Sequence, residues 1–223
     1  MSRTAMSVDM PQSDRSELQI AVVDIGMNNL RSVTKALSKL NVSYTASAEI
    51  ADLEKADRII LPGVGAFPEA MERLVSLKLF EPLTEQVIVN QKPILGICLG
   101  MQLFARNSAE GGFTNGLGFV DARVKKLASD ASHRLPHISW NSVAQKKNCP
   151  LFNGLDDLCF MYFVHEYAVE CYDQDLVAAT SNYGEDFVSV INQKNIYGVQ
   201  FHPEKSHDAG AVLISNFIFT EAI

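Results

Sequence analysis

Three short stretches carry groups that could act together on a carbonyl carbon. In GICLGMQLF, residues 96 to 104, Cys98 lies two residues from a glycine on either side, at the end of an apolar run. A nucleophile on a sharp strand-to-helix turn needs small neighbours, because its own backbone is strained and the flanking chain packs closely. Gly96 and Gly100 meet that need. A helix opening at Leu99 would turn its free N–H groups and the positive end of its dipole toward the sulfur, and the same amides could hold an oxyanion. A cysteine nucleophile also needs a base, and the base an orienting partner. YGVQFHPEKS, residues 197 to 206, offers both. In an extended segment His202 and Glu204 project to the same side, so Glu204 can bond one ring nitrogen while the other faces Cys98, and Pro203 stiffens the link. In LPGVGAF, residues 61 to 67, Gly63 and Gly65 flank Val64, so the peptides there can rotate with little steric penalty and could turn either a carbonyl or an N–H toward an oxyanion. Taken singly, the first two stretches read more readily as a core cysteine and a strand-end turn with a solvated glutamate, and the third can be a plain β-to-α turn. Together they are far more specific.

These groups meet only if the chain brings several strand ends to one edge. The hydrophobic period switches repeatedly. LQIAVVD at 18–24, RIILP at 58–62 and KPILGI at 92–97 predict buried strands. Leu30, Val33, Leu37 and Leu40 mark a helix face, a helical region spans 67–90 with a break near Pro82, and a helix runs from Leu99 to about Asn107. This alternation predicts an α/β domain of flavodoxin-like type, a mostly parallel sheet with helices on both faces. In such sheets reactive groups gather at the carboxyl ends of the strands, where Cys98, His202 and the 61–67 turn all fall. The second half adds strands within 119–127, 159–170, 176–184, 187–192 and 196–202, then a helix from about Asp208 to Thr220, which gives an antiparallel portion.

Composition narrows the function. With 47% hydrophobic residues, 223 residues can bury one sizeable core, so residues 18–223 are expected to form one domain and the polar residues 1–17 a disordered extension. A net charge of −7 argues against nucleic acid or an anionic membrane as partner; the pairs Lys125-Lys126 and Lys146-Lys147 are too short to reverse that. Cys98, Cys149, Cys159 and Cys171 show no CxxC and no disulfide-scaffold spacing, which suits a reduced, cytoplasmic protein. The remaining histidines, His133, His137, His165 and His207, recur with no ligand-like spacing. No metal is expected.

In order and separation, GICLGMQ, LPGVGAF and GVQFHPEKS resemble the class I (triad) glutamine amidotransferases, over nearly all of residues 18–223. More narrowly, PGVGAFPEAM, PHISWN at 136–141, YFVHEY at 162–167, SNYGEDF at 181–187 and the Met101 after Gly100 resemble the glutaminase subunits of imidazole glycerol phosphate synthases. The resemblance implies Cys98 as nucleophile, His202 as base and Glu204 as its orienter. It implies glutamine contacts from Gly63, Gln102, His165, Glu166 and Tyr167, oxyanion N–H groups at Val64, Gly65 and Leu99, and no cofactor. It also implies a partner, a (β/α)8-barrel cyclase that consumes the ammonia in histidine biosynthesis, met by Asn28, Asn29, His137, Trp140 and Asn141. Asn28, Ser139 and Glu166 stand where that pattern has glycine, glycine and serine, all on expected glutamine or partner surfaces. Two other readings stay open: a paralogue feeding a surface-polysaccharide sugar amidotransferase, and a catalytically silent scaffold protein.

Overall fold

The computed structural model describes residues 18–27 and 30–220. The expected extension at 1–17 and the turn residues Asn28 and Asn29 lie outside the described residues. In chain order the elements are β1 (Gln19–Val23), α1 (Leu30–Lys39), β2 (Ser43–Ser47), α2 (Ile50–Lys55), β3 (Arg58–Gly63), α3 (Phe67–Ser76), α4 (Phe80–Thr84) with a π-helical turn at Glu85–Val89, β4 (Ile94–Cys98), α5 (Leu99–Leu103), β5 (Asn107–Ser108), β6 (Thr114–Asn115), β7 (Ala122–Lys126), β8 (His137–Gln145), β9 (Leu158–His165), β10 (Tyr167–Cys171), β11 (Val177–Tyr183), β12 (Glu185–Gln193), β13 (Ile196–Val199) and α6 (His207–Phe219).

Nine strands form one sheet in the order β2-β1-β3-β4-β13-β12-β11-β8-β9. The first five are parallel and the rest antiparallel. β1 is apolar along most of its length because both faces of the sheet are covered. Ala21 and Val23 enter the core beneath α2, α3 and α5, while Ile20 and Val22 enter the core beneath α1 and α6. α1 buries Val33 and Leu37, and α3 buries Phe67, Ala70, Met71 and Leu74, the spacing of one helical face. A smaller sheet, β10-β7-β5-β6, packs on the α3–α5 side through Val124 and Val169.

Four departures from the expected elements have local causes. The 67–90 region breaks at Lys78, which adopts a left-handed φ of 56°, and not at Pro82. That proline falls in the first turn of α4, where a missing N–H costs nothing. α5 stops at Leu103 because the Arg106 N–H is taken by the Ala122 carbonyl at 2.9 Å. The apolar run at 159–170 is two strands. β9 ends at His165 in the large sheet and β10 begins at Tyr167 in the small one, with the Glu166 carbonyl receiving the Leu127 N–H at 2.9 Å. β2, whose SYTAS sequence lacks a buried residue, is a sheet-edge strand with no hydrophobic signal to announce it.

β3, β4 and β13 lie side by side, with Gly63 opposite Cys98 and Val199 opposite Ile97. The three chemistry-bearing stretches thus leave the same edge of the sheet. α5 crosses β3 so closely that a Cβ on Gly100 would sit 1.8 Å from the Leu61 carbonyl oxygen. Gly100→Ala should therefore cost at least about 3 kcal/mol, the upper end for overpacking, since backbone and not a flexible side chain must yield. Denaturant unfolding would check this, and Gly118→Ala, which meets no atom within 4 Å but has φ +69°, is the comparison for backbone strain alone.

Candidate active site

Cys98 closes β4 and precedes α5 with φ 55° and ψ −110°, a conformation that costs a non-glycine residue about 1–3 kcal/mol and persists only where the surroundings impose it. The surroundings are Gly96 and Gly100. A Cβ on Gly96 would lie 2.6 Å from the Met101 nitrogen. The sharp turn leaves Cys98 6% exposed, at the floor of a cavity of about 390 Å³.

His202 follows β13 in extended backbone, tied to β9 by its N–H on the Tyr162 carbonyl at 2.9 Å. Its Nδ1 is 2.8 Å from Glu204 Oε1, with the two side chains 3% and 2% exposed. Cys98 borders the same cavity as His202, and its Sγ lies 3.7 Å from the Val164 carbonyl oxygen. Burial alone would depress the imidazole, but the bonds and charges of Cys98 and Glu204 outweigh it and hold His202 at about 10. The ring therefore carries a proton at neutral pH. Gln200, fully buried, directs its Nε2 to Cys98 Sγ at 3.6 Å. The other cysteines are free and buried, and burial pushes Cys149 and Cys159 to about 11 and Cys171 to about 12. As thiols they are poor nucleophiles.

The cavity is bounded by Cys98, Leu99, Gln102, His165, Glu166, Tyr167 and His202, together with Val64 and Gly65. Gly63 does not line it. It packs against Leu99, where a Cβ would meet the Leu99 Cβ at 2.9 Å. Gln102 is anchored through Nε2, which donates to the Tyr167 carbonyl at 2.8 Å and to Gln200 Oε1 at 3.0 Å. Leu99, the first residue of α5, has no carbonyl behind it in the helix to take its N–H. The Val64 N–H, in contrast, donates to the Met27 carbonyl at 3.0 Å, so in this arrangement it is turned away from an oxyanion. Gly65 has φ 109°. Glu166 pairs with Lys126 at 3.0 Å; both are partly exposed, so the pair contributes little stability.

Sequence reasoning missed Glu110, Pro136, Val164 and Lys205 among the cavity residues, and Gln200 beneath them. Glu110 comes from an irregular segment after β5, where no periodicity marks a position as inward, and its Oε2 also accepts the Phe67 N–H at 2.9 Å. The expected partner residues divide. Trp140 is 44% exposed and stacks on His207 at 5.0 Å, and Asn141 is half-buried with its Nδ2 on the Asn182 carbonyl at 2.8 Å. His137 is 0% exposed, which corrects its assignment to the partner surface. It faces inward as a β8 residue whose neighbours Ile138 and Trp140 are exposed. His165 cannot replace His202 as base, since its Nδ1 is held by the Tyr167 carbonyl at 2.8 Å and burial pushes it down to about 3. Among the described residues no group of three or more His, Cys, Asp or Glu side chains could hold a metal ion.

A cysteine on a strained strand-to-helix turn beside a buried His–Glu pair defines a thiol-dependent acyl-transfer site on an open α/β sheet. The chain belongs to the class-I glutamine amidotransferase family: the sequence profile described as "Glutamine amidotransferase class-I" matches residues 21–220. It is 45% identical over 199 residues to imidazole glycerol phosphate synthase subunit HisH 1 of Campylobacter jejuni, covering 89% of this chain and 98% of that one. It is 42% identical over 198 residues to subunit HisH of Bacillus cytotoxicus, covering 89% and 93%. Among solved structures, a Thermoplasma acidophilum protein assigned to GMP synthase superposes with a TM-score of 0.70 at 24% identity, over 90% of this chain and 92% of that one; this likeness bears on the fold alone.

Removing the thiol should expose its hold on the neighbouring ring. In Cys98→Ala the His202 titration is expected to fall well below about 10, because the Cys98 bond and charge are among the causes that raise it. The sign follows for stability. A histidine raised from 6.5 in the folded state stabilises fully below pH 6.5 and loses that contribution as pH rises toward about 10, so the difference in stability between wild type and Cys98→Ala should be greatest at the acid end of that window and shrink across it. Histidine NMR titration and pH-dependent unfolding would measure both.

Proposed function

We propose that this chain is the glutaminase component of an imidazole glycerol phosphate synthase, hydrolysing L-glutamine to glutamate and passing ammonia to a cyclase in histidine biosynthesis. The observation that carries the reading is that Cys98 and the buried His202–Glu204 pair meet at one cavity, which Gln102 and Glu110 also line. The Cys98 sulfur attacks the side-chain carbonyl carbon of glutamine, and the Leu99 N–H donates to the developing oxyanion. His202 gives its proton to the departing nitrogen, which leaves as ammonia and a Cys98 thioester. A water then adds to the thioester with His202 as base, the carbon–sulfur bond breaks, and glutamate leaves. Glu204 holds the ring in register and stabilises its charged form. The Glu110 carboxylate suits the substrate's α-ammonium. No step calls for a metal or organic cofactor.

Ammonia is useful only where something consumes it, and that calls for a synthase beside this site. β8 and β9, the last strands of the large sheet, expose Ile138, Trp140, Leu158 and Phe160, a surface suited to a protein partner, with Trp as its anchor. A (β/α)8-barrel cyclase, forming a cytoplasmic heterodimer with this chain and conducting ammonia through its barrel, is the partner proposed. A second reading, a paralogue serving a surface-polysaccharide sugar amidotransferase, is favoured by two observations. The Campylobacter relative is named HisH 1, with a numeral, and Ser139 and Glu166 depart from the expected pattern beside the partner and glutamine surfaces. Pairing the chain with each synthase in turn, and finding which one couples glutamine to its product, separates the two.

Cys98→Ala is expected to abolish glutamine-dependent synthesis, a loss of at least about 10⁴, while the complex continues to use added ammonium. Diazo-oxo-norleucine should label Cys98 alone, and label on Cys149, Cys159 or Cys171, or glutamate release by Cys98→Ala, would remove the assignment. The chain alone is expected to be a slow glutaminase, since the Val64 N–H is bound to the Met27 carbonyl and one oxyanion donor is commonly worth about 10² to 10³ in rate. Partner binding that turns this peptide over would supply it. Glutamate release measured for the chain alone, with its cyclase, and with the cyclase loaded with nucleotide should rise across the series, and equal rates would show a site complete without the partner.

A further inference from the structure

The catalytic steps leave two buried histidines unused, and their hydrogen bonds can run in only one direction. His165 Nδ1 lies 2.8 Å from the Tyr167 carbonyl oxygen. A carbonyl only accepts, so Nδ1 carries the hydrogen. Burial keeps this ring neutral, which leaves Nε2 bare and in need of a donor. That donor is His137 Nδ1 at 3.0 Å, from the residue directly opposite on the neighbouring strand. His137 is neutral for the same reason, so its Nε2 is bare in turn and accepts from the Ser139 hydroxyl at 2.8 Å, with Asn141 Nδ2 at 3.4 Å behind it. The chain of donors is therefore Ser139 to His137 to His165 to the Tyr167 carbonyl.

That carbonyl stands where the chain leaves one sheet for the other, and it also takes the Gln102 Nε2–H. The His165 bond spans the break from the last residue of β9 to the first of β10. Tyr167, Gln102 and His165 all line the cavity, whereas His137 does not. We infer that His137 is a positioning residue for the substrate, holding His165 in the one tautomer that fixes the Tyr167 carbonyl and, through it, the Gln102 amide in the cavity wall. The inference rests on the glutaminase reading. It gives β8 two roles, because the strand that buries His137 also exposes Trp140, so the same element supports the substrate wall and offers the apolar surface.

His137→Phe keeps an aromatic ring against Tyr183 and Phe163, its stacking neighbours at 4.1 and 5.1 Å, and removes both nitrogens. His137→Asn places an amide N–H near the lost Nδ1–H. In the complex with its cyclase, His137→Phe should raise KM for glutamine by about tenfold with kcat little changed and ammonium-driven synthesis unaffected, the loss of one oriented hydrogen bond felt in binding. His137→Asn should recover most of that loss. Independently of activity, long-range ¹H–¹⁵N spectra of the wild-type chain should show both His137 and His165 as Nδ1–H tautomers, assigned by difference from the variants. An Nε2–H tautomer at either ring, an unchanged KM in folded His137→Phe, or equal damage from His137→Asn and His137→Phe would overturn the inference. Absence of glutamate release from the wild-type complex, with the tautomers as expected, would instead overturn the glutaminase reading on which it rests.

Discussion

The approach of α5 to β3, a Gly100 backbone with no room for even a Cβ against the Leu61 carbonyl, sets where every reacting group can stand. A helix held one side chain further away would let the chain relax at Cys98, whose φ of 55° and ψ of −110° exist only because the strand before it and the helix after it are both pinned. Gly96 and Gly63 extend the same constraint, since each would drive a Cβ into the first turn of α5. The sulfur is therefore placed by backbone packing in the rigid centre of a parallel sheet. The glycines around it are a packing requirement first, and a signature of chemistry only as a consequence.

Burial of the His202–Glu204 pair is the second constraint, and here two opposing effects must be weighed. Taking an imidazole out of water disfavours its charged form, yet His202 is held at about 10 because a carboxylate and a sulfur flank it in surroundings that screen them poorly. His165, comparably enclosed but facing a carbonyl and another neutral imidazole, is pushed the other way, to about 3. Two histidines bordering one cavity thus differ in charge because their partners differ. That difference makes one ring a proton carrier and leaves the other a fixed donor.

Much of this is legible in the sequence and some of it is not, and the division is physical. Cys98, His202 and Glu204 can be read because strand ends, small residues and an i, i+2 pair are local patterns. The parallel half of the sheet can be read because strands covered on both faces are continuously apolar, as at Ile20–Val23. Gln200 stands in the same short stretch as His202, but its bonds to Gln102 and Cys98 depend on the β4–β13 pairing, which no local pattern specifies. Glu110 lies in irregular chain. His137 reads as a surface residue because the alternation of PHISWN cannot be phased until β8 is known to be a strand and its inner side identified. The break at Glu166 is hidden because β9 and β10 are both apolar, and nothing local marks a change of sheet.

That change of sheet carries the remaining logic of the site. Where β9 gives way to β10, the backbone cannot satisfy itself within either ladder, and buried carbonyls and N–H groups must find partners elsewhere. The Glu166 carbonyl finds Leu127, and the Tyr167 carbonyl finds His165 and Gln102. A cavity wall built at such a junction is made of backbone whose orientation is set by side chains, and those side chains are reached from β8 on one side and from the nucleophile's own helix on the other. The wall that would hold a substrate is thereby tied to the strand with the exposed apolar residues. A change in β8 need not reach the sulfur through the whole core, because the path from Ser139 to Cys98 is a short series of hydrogen bonds, through His137, His165, the Tyr167 carbonyl, Gln102 and Gln200.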